Sequence, residues 1–236
     1  MGNIKGIIFD YGGTIDSRGV HWSEIIWDGY RASGTTVDKE TFREAYVYAE
    51  RELAKVRHIM PDDNFHTLLL KKMQIELGWL ADHGYISADD ARRMAPEIAR
   101  YCYERARECV EEARPVLEAI RERHIPMVLV SNFYGNVQAV LADFNLLQYF
   151  ESIIESAVVG VRKPDPQIFR LGVDALGMKP EEVLVVGDSY KKDIVPAETI
   201  GCRVAWIKGK GWTAEEDVVT HPSIIKNIGE VLQAAF

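Results

Sequence analysis

Residues 4–14 have the sequence Ile-Lys-Gly-Ile-Ile-Phe-Asp-Tyr-Gly-Gly-Thr. The run from Ile4 to Phe9 is short, apolar and rich in isoleucine, and Asp10 and two glycines follow it closely. A run of this kind is typical of a strand that is buried on both faces of a parallel sheet and ends in a tight turn. The first element of the chain is therefore predicted to be a buried parallel strand.

From Val20 to about Glu112 the sequence has helical periodicity instead. Apolar residues recur at three- and four-residue spacing, as Leu69, Met73 and Leu77 do. The predicted helices are Trp22 to Ala32, Lys39 to Val56, Asn64 to His83 and Ala88 to Glu112. Because this block contains no strand signals, we predict that it forms a helical bundle of its own.

After Arg114-Pro115 short β-branched runs alternate with helical segments. The predicted strands are Pro126 to Val130, Ser152 to Ser156, Val183 to Val186 and Cys202 to Ile207. The predicted helices are Val116 to Arg123, Val137 to Phe144, Gln167 to Leu176, Ile194 to Ile200 and Ser223 to Ala235. Such alternation indicates an α/β fold, a Rossmann-like parallel sheet with helices on both faces. Residues 1–16 and 113–236 would form this core domain, and residues 17–112 an inserted all-helical domain.

The composition of the 236-residue chain is ordinary for a globular protein, and its formal net charge is −8. An acidic balance provides no broad basic surface for nucleic acid or for an anionic membrane. Three cysteines without paired spacing indicate neither a disulfide framework nor a zinc site. The start Met1-Gly2-Asn3 leads directly into the strand without the pattern of a signal peptide. A cytoplasmic protein, monomeric or homodimeric, with no membrane span is expected.

Polar residues stand at the predicted carboxyl ends of several strands. Asp10 follows the first strand, Ser131-Asn132 the second, and Asp188 the fourth, while Lys163 lies in the loop after the third. In an open parallel sheet these ends converge on one crevice where ligands bind. Carboxylates can hold Mg²⁺, and a lysine with a hydroxyl can hold the oxygens of an anion. The pattern therefore predicts a site for a divalent cation and an oxygen-rich anion.

These segments together resemble the haloacid dehalogenase superfamily. The stretch Phe9 to Thr14 resembles its nucleophile loop, Val130-Ser131-Asn132 its second motif and Lys163-Pro164 its third, and residues 187–193 resemble its fourth. The motifs occur in the family's order, and the helical block resembles the family's helical cap. The resemblance implies Mg²⁺-dependent hydrolysis of a small phosphorylated molecule through an aspartyl-phosphate intermediate.

The resemblance also implies a role for each matching residue. Asp10 would be the nucleophile, with Ser131 and Lys163 binding the transferring phosphoryl group. Mg²⁺ would be held by Asp10, by the backbone carbonyl of Gly12 and by Asp188, with Asp193 contacting a metal-bound water or Lys163. The remaining residues expected to bind the phosphate or the substrate are Gly12, Gly13, Thr14 and Asn132. Thr14 would also brace the nucleophile loop.

Position 12 departs from the pattern of the family. Phosphatases of this family carry an aspartate two residues after the nucleophile, which protonates the leaving oxygen, and this chain has Gly12 there. Loss of such a group removes a contribution of about 10²–10⁴-fold in rate. Asp16 is interpreted as a hinge or turn residue, and His21 is a weaker candidate for a substitute acid.

Three functions remain open from the sequence. The first is a phosphatase whose substrate has a good leaving group or whose cap supplies the acid. The second is a phosphonate- or haloacid-cleaving relative. A phosphonate hydrolase would need a Schiff-base lysine in the cap, for which Lys55, Lys71 and Lys72 are the candidates, each expected to be solvated. The third is a weakened member that binds a phosphorylated ligand or a partner. Arg57 and His58, in a polar loop between cap helices, are predicted to face the substrate.

Overall fold

The computed structural model describes residues 4–236; Met1–Asn3, on which the prediction about a signal peptide rests, lie outside the described residues. Six strands form one sheet in which every neighbouring pair is parallel. The strands are β1 Gly6–Phe9, β2 Met127–Ser131, β3 Ser152–Glu155, β4 Val183–Gly187, β5 Arg203–Ile207 and β6 Ile224–Ile225. Their order across the sheet is β3-β2-β1-β4-β5-β6, which confirms the predicted α/β parallel-sheet fold.

Ten α-helices accompany the sheet in residues 4–236. Four of them lie between β1 and β2 in the chain: α1 Trp22–Ala32, α2 Lys39–Lys55, α3 Phe65–Asp82 and α4 Ala88–Glu122. The others are α5 Val137–Asp143, α6 Ser156–Val159, α7 Gln167–Leu176, α8 Val195–Thr199, α9 Ala214–Asp217 and α10 Val231–Ala235. None of these helices is long and apolar enough to cross a lipid bilayer.

Strand β1 joins the two apolar cores of the molecule. Side chains alternate between the faces of a strand, so Ile7 and Phe9 point to one side and Ile8 to the other. Ile7 and Phe9 belong to the core that continues into the cap helices, whereas Ile8 packs with Val130 and Phe169 in the second core. Burial on both faces explains why the strand is a nearly continuous apolar run.

Helix α4 corrects the prediction of two separate helices, Ala88 to Glu112 and Val116 to Arg123. It runs without interruption for 35 residues and contains Pro96 and Pro115. A proline inside a helix costs about 3 kcal/mol, but Val110, Val116 and Leu117 keep their helical spacing and are buried on one face. Their burial outweighs the lost hydrogen bond, so the proposed domain boundary at residues 112/113 falls inside one rigid helix.

The C-terminal segment also differs from its predicted single helix, Ser223 to Ala235. Ile224 and Ile225 instead pair with Trp206 and Ile207 as the edge strand β6. A short 3₁₀ turn precedes α10, which is five residues long. The two β-branched residues gain more from pairing with β5 than from an isolated turn of helix.

Candidate active site

Asp10 is the centre of the polar side chains at the carboxyl edge of the sheet. It directly follows β1, and its side chain is buried, with a residue exposure of 4%. One carboxylate oxygen, Oδ1, accepts hydrogen bonds from Lys163 Nζ at 2.6 Å and Ser131 Oγ at 3.1 Å. The hydroxyl of Thr14 lies 3.2 Å from the other oxygen, Oδ2. The carboxylate is therefore held in one orientation from three sides.

Lys163 links the nucleophile candidate to a second aspartate. Its ammonium donates to Asp10 Oδ1 and to Asp193 Oδ1, each at 2.6 Å, and its side chain is only 3% exposed. Burial alone would lower the pKa of Lys163, but the two carboxylates outweigh it and raise that pKa above its ordinary value. Lys163 therefore carries a fixed positive charge beside Asp10, where an incoming anion could be held.

Three carboxylates converge where a divalent cation could bind. Oxygen atoms of Asp10, Asp188 and Asp193 lie within 4.8 Å of one another. Burial, followed by repulsion from Asp193 and Asp10, raises the pKa of Asp188. A small hard cation with oxygen ligands would relieve this repulsion, so the donor set fits Mg²⁺. The assignment of Gly12 as a backbone ligand stays a prediction.

Gly13 shows why this loop needs a glycine. Its φ of +101° is in the left-handed region. A Cβ atom at position 13 would also lie 2.4 Å from the carboxylate of Asp188. Glycine thus lets the nucleophile loop press against the end of β4, which brings Asp10 and Asp188 together.

Position 12 is open. A Cβ atom at Gly12 would meet no atom within 4 Å outside its neighbours, and Gly12 lines the cavity above Asp10. The backbone therefore has room for the aspartate that the family pattern places there. The acid is absent because residue 12 is a glycine, and not because the loop lacks space for an aspartate side chain.

Neither Asp16 nor His21 is placed as an obvious substitute acid. Asp16 is fully buried and accepts hydrogen bonds from Gly13 N at 2.7 Å and Trp22 Nε1 at 3.1 Å. Burial raises its pKa to about 8, yet both oxygens are committed to tying the loop to the start of α1. Burial, with Lys192 and Lys72 adding to it, lowers the pKa of His21 to about 4, so its imidazole is neutral at pH 7.

The side chain of Asn132 forms hydrogen bonds within the protein. Its amide donates to the backbone carbonyl of Lys163 at 3.0 Å and accepts from the backbone N–H of Lys163 at 2.9 Å. This pair fixes the loop that carries the lysine. Asn132 also lines the cavity, and its contact with the substrate stays a prediction.

A cavity of about 590 Å³ lies between the sheet edge and the cap helices. Its floor contains Asp10, Lys163 and Asp188. Its cap side includes the residues Trp22, Tyr46, Glu50, Phe65, Leu69 and Lys72. This volume can enclose a small metabolite and shield the floor from bulk water.

Lys72 corrects the expectation that the cap lysines are solvated. Its side chain is 5% exposed, lines the cavity and is paired with Glu50. Lys71 instead donates to Asp63, and among residues 4–236 neither Lys71 nor Lys55 lines this cavity. Lys72 falls four residues before Glu76 and three after Leu69, on the buried face of α3. That spacing was the signal that could have identified it.

The predicted substrate loop does not reach the cavity. Arg57 is exposed, and neither Arg57 nor His58 is among the cavity-lining residues of the described chain. The Nε2 atom of His58 lies 3.1 Å from Glu52 Oε1. The loop docks on the core instead, because Asn136 Nδ2 donates to the carbonyl of Asp63 at 2.8 Å. Its polar residues serve this docking and solvation.

Comparison with protein families gives one match over most of the chain. The model for haloacid dehalogenase-like hydrolases matches residues 4–201. A phosphoserine phosphatase of Thermus thermophilus is 31% identical over 119 residues, which is 50% of this chain and 47% of that relative. A glyceraldehyde 3-phosphate phosphatase of Pyrococcus furiosus is 40% identical over 60 residues, 25% of each protein. The chain thus spans at most about half the length of these curated relatives.

Solved structures share the fold over the whole length. A dehalogenase with an intermediate complex has a TM-score of 0.65 at 16% identity and covers 99% of this chain and 98% of its own. A predicted phosphoglycolate phosphatase of Haemophilus somnus has a TM-score of 0.59 at 19% identity, with 100% of each chain covered. At these identities the likeness shows the common architecture alone.

Proposed function

This chain belongs to the haloacid dehalogenase-like hydrolase family, and we propose that it is an Mg²⁺-dependent phosphatase acting on a small phosphorylated molecule. The observation that carries the proposal is the setting of Asp10. Its carboxylate lies beneath a cavity and is held by Lys163 and Ser131. A purely structural ion pair would need neither the hydroxyl nor the cavity. The chain is also proposed to act in the cytoplasm, in agreement with three buried free cysteines.

The chemistry would proceed in two displacements. An oxygen of Asp10 attacks phosphorus, the P–O bond to the leaving group breaks, and the leaving group departs with the electron pair. Water then attacks the phosphorus of the aspartyl phosphate, the P–O bond to Asp10 breaks, and the water gives up its proton to solvent. Inorganic phosphate is released and the carboxylate of Asp10 is restored. In both steps Lys163 and Ser131 hold the phosphoryl oxygens.

Mg²⁺ would be held by Asp10 and Asp188, with Asp193 beside them, and would neutralise charge on the phosphoryl group. Thr14 supports this arrangement, because its Oγ1 lies 3.2 Å from Asp10 Oδ2 and 3.3 Å from Asp188 Oδ1. The hydroxyl of Thr14 therefore holds the carboxylates of Asp10 and Asp188 in a fixed relative position.

Gly12 restricts the leaving group. With no acid at position 12, the leaving oxygen departs without a proton from the nucleophile loop. The rate should therefore depend steeply on how stable the leaving group is as an anion. Aryl phosphates should be hydrolysed much faster than simple alkyl phosphates.

The test is hydrolysis of 4-nitrophenyl phosphate with and without Mg²⁺. The native protein should turn over only with the metal, and Asp10→Asn should lose at least about 10³-fold in kcat. Asp82→Asn, an exposed aspartate at the end of α3, is the matched control and should keep full activity. Equal turnover by Asp10→Asn and the native protein would reject the aspartyl-phosphate route.

Phosphonate cleavage is a second candidate because Lys72 reaches the cavity. An imine-forming lysine must become neutral, and Glu50 opposes this by pairing with the ammonium. Although burial disfavours the charge, Glu50 outweighs it and raises the pKa of Lys72. Borohydride trapping with phosphonoacetaldehyde decides between the two: a stable adduct on Lys72 would favour the phosphonate route, and none is expected.

A further inference from the structure

Four side chains form a polar cluster on the cap side of the cavity, here called the roof cluster: Tyr46, Glu50, Lys72 and Tyr134. Lys72 donates to Glu50 Oε1, and its ammonium lies 4.3 Å from the centre of the Tyr46 ring. Tyr134, which follows the second motif on the core side, donates to Glu50 Oε1 at 3.1 Å. The roof cluster therefore joins two cap helices to the core directly above the site.

The roof cluster presents a carboxylate to the cavity. The side chain of Lys72 is 5% exposed, whereas that of Glu50 is 38% exposed. Both residues line the cavity, and of the two side chains that of Glu50 is the more accessible. A buried ion pair is seldom more stable than an apolar pair of similar size, so stability alone does not account for it.

Glu50 is fixed as a hydrogen-bond acceptor. Burial opposes its charge, but Lys72 and Tyr134 outweigh burial and lower the pKa of Glu50, so it stays ionised. An ionised carboxylate has about four acceptor positions, and the protein uses those directed at Lys72 and Tyr134. The remaining positions can accept hydrogen bonds from water or from a ligand in the cavity.

The surrounding charge favours hydroxyl groups over ammonium groups as those donors. Lys72 already neutralises Glu50, and Lys192 also lines the cavity. An added cation would be repelled by both lysines, whereas a neutral hydroxyl would not.

We propose that Glu50 is the specificity-determining residue of this site, and that it selects phosphate esters whose leaving group carries several hydroxyl groups, as sugar and polyol phosphates do. This inference rests on the proposed phosphatase function. Lys72 and Tyr134 act as positioning residues, because they hold the carboxylate that the hydroxyl groups meet.

The experiment compares two kinds of ester that share a primary-alcohol leaving group on a six-membered ring. Glucose, mannose and galactose 6-phosphates carry ring hydroxyl groups, and cyclohexylmethyl phosphate does not. The absent acid at Gly12 handicaps both kinds of ester alike. The native protein should prefer at least one sugar ester by at least about tenfold in kcat/KM, with the difference mainly in KM.

Glu50→Gln should abolish that preference, mainly by raising KM for the sugar ester. Glu44→Gln, an exposed glutamate on the same helix α2, should retain the preference. Tyr134→Phe keeps the carboxylate of Glu50 but removes one of its hydrogen-bond donors. The preference of this variant for sugar esters should therefore be reduced rather than lost. Thermal unfolding of each variant shows whether it is folded.

The two proposals fail in different ways. Hydrolysis of 4-nitrophenyl phosphate with no sugar preference, or a preference that survives Glu50→Gln, would overturn the role of Glu50 alone. If no ester is hydrolysed, the phosphatase proposal fails. Calorimetric binding of the same esters to the native protein with Mg²⁺ then decides the role of Glu50. Binding that requires the ring hydroxyl groups and Glu50 supports it, and equal or absent binding overturns it.

Discussion

The floor and the roof of the cavity each contain a buried lysine paired with carboxylate, but the two pairs differ in what they expose. On the floor, Lys163, Asp10 and Asp193 have side chains that are at most 5% exposed. In the roof cluster, Lys72 is buried equally well, but the side chain of Glu50 is 38% exposed. The charged groups of the floor are paired with one another and reach only the cavity above Asp10. The roof cluster instead leaves the carboxylate of Glu50 accessible to a ligand.

This difference follows from where the residues are anchored. Asp10 directly follows β1, and Asp193 lies in the helical turn after β4, while Lys163 lies in the loop after the short helix α6. The parallel sheet holds β1, β2, β3 and β4 in register. The roof side chains come from α2, α3 and a core loop, which tertiary packing alone brings together. Catalysis requires side chains in a fixed geometry, which the sheet provides for the floor. The cap surface, in contrast, is suited to selecting among substrates.

The largest expected difference comes from removing each lysine in turn. Lys163→Met leaves two buried carboxylates without their cationic partner, so it should destabilise the protein by about 3–5 kcal/mol and abolish activity. Lys72→Met should cost less, because the exposed Glu50 can take up water. Urea unfolding and 4-nitrophenyl phosphate turnover measure both variants. Equal destabilisation would contradict the distinction between floor and roof.

The next largest effect should come from Gly12→Asp, which adds an acid to the floor. Because a side chain at position 12 meets open space, the variant should fold normally. It should raise kcat on alkyl phosphates by about 10²-fold and change turnover of 4-nitrophenyl phosphate much less. Gly12→Asn has nearly the same size without the acid and should give no such gain. A gain in kcat from both variants would mean that the size of the side chain at position 12, and not its acid group, increases turnover.

The last prediction concerns Glu76, which lies behind the roof cluster. Burial raises its pKa from 4.5 to about 8, with Lys72 only partly offsetting burial. The folded state thus holds a proton that the unfolded state has already released. This contribution to stability is complete below about pH 4.5, falls as the pH rises towards 8 and is then lost.

The slope due to Glu76 should approach about 1.4 kcal/mol per pH unit between these limits. Glu76→Gln should remove it, so urea unfolding at pH 5 to 8 should show a flatter profile for the variant than for the native protein. Parallel profiles for the variant and the native protein would mean that Glu76 is ionised in the folded protein. The effect of Lys72 on the pKa of Glu76 would then differ from the one described.

The sequence was informative where local patterns determine structure. The bounds of α1 and α7 match the predicted helices, because their apolar periodicity and flanking residues agree. The gathering of Asp10, Ser131, Lys163 and Asp188 follows from one rule about parallel strand ends. Their chemical roles remain predictions that the experiments above address.

Other features depended on contacts between distant residues. The continuity of α4 through Pro115 reflects burial against the core and could not be read from proline itself. The spacing of Lys72 places it on the buried face of α3, but its pairing with Glu50, 22 positions earlier, depends on tertiary packing. Arg57 and His58 lie in a polar loop as predicted, yet that loop docks on the core through Asp63.

The most direct test of the central claim is to trap the covalent intermediate on Asp10. The native protein would be mixed with Mg²⁺ and 4-nitrophenyl phosphate, quenched in acid and treated with borohydride, which reduces an acyl phosphate to an alcohol. Peptide mass spectrometry should then find homoserine at position 10, and only when substrate and metal are both present. Turnover without modification of Asp10, or modification of another carboxylate, would contradict the account.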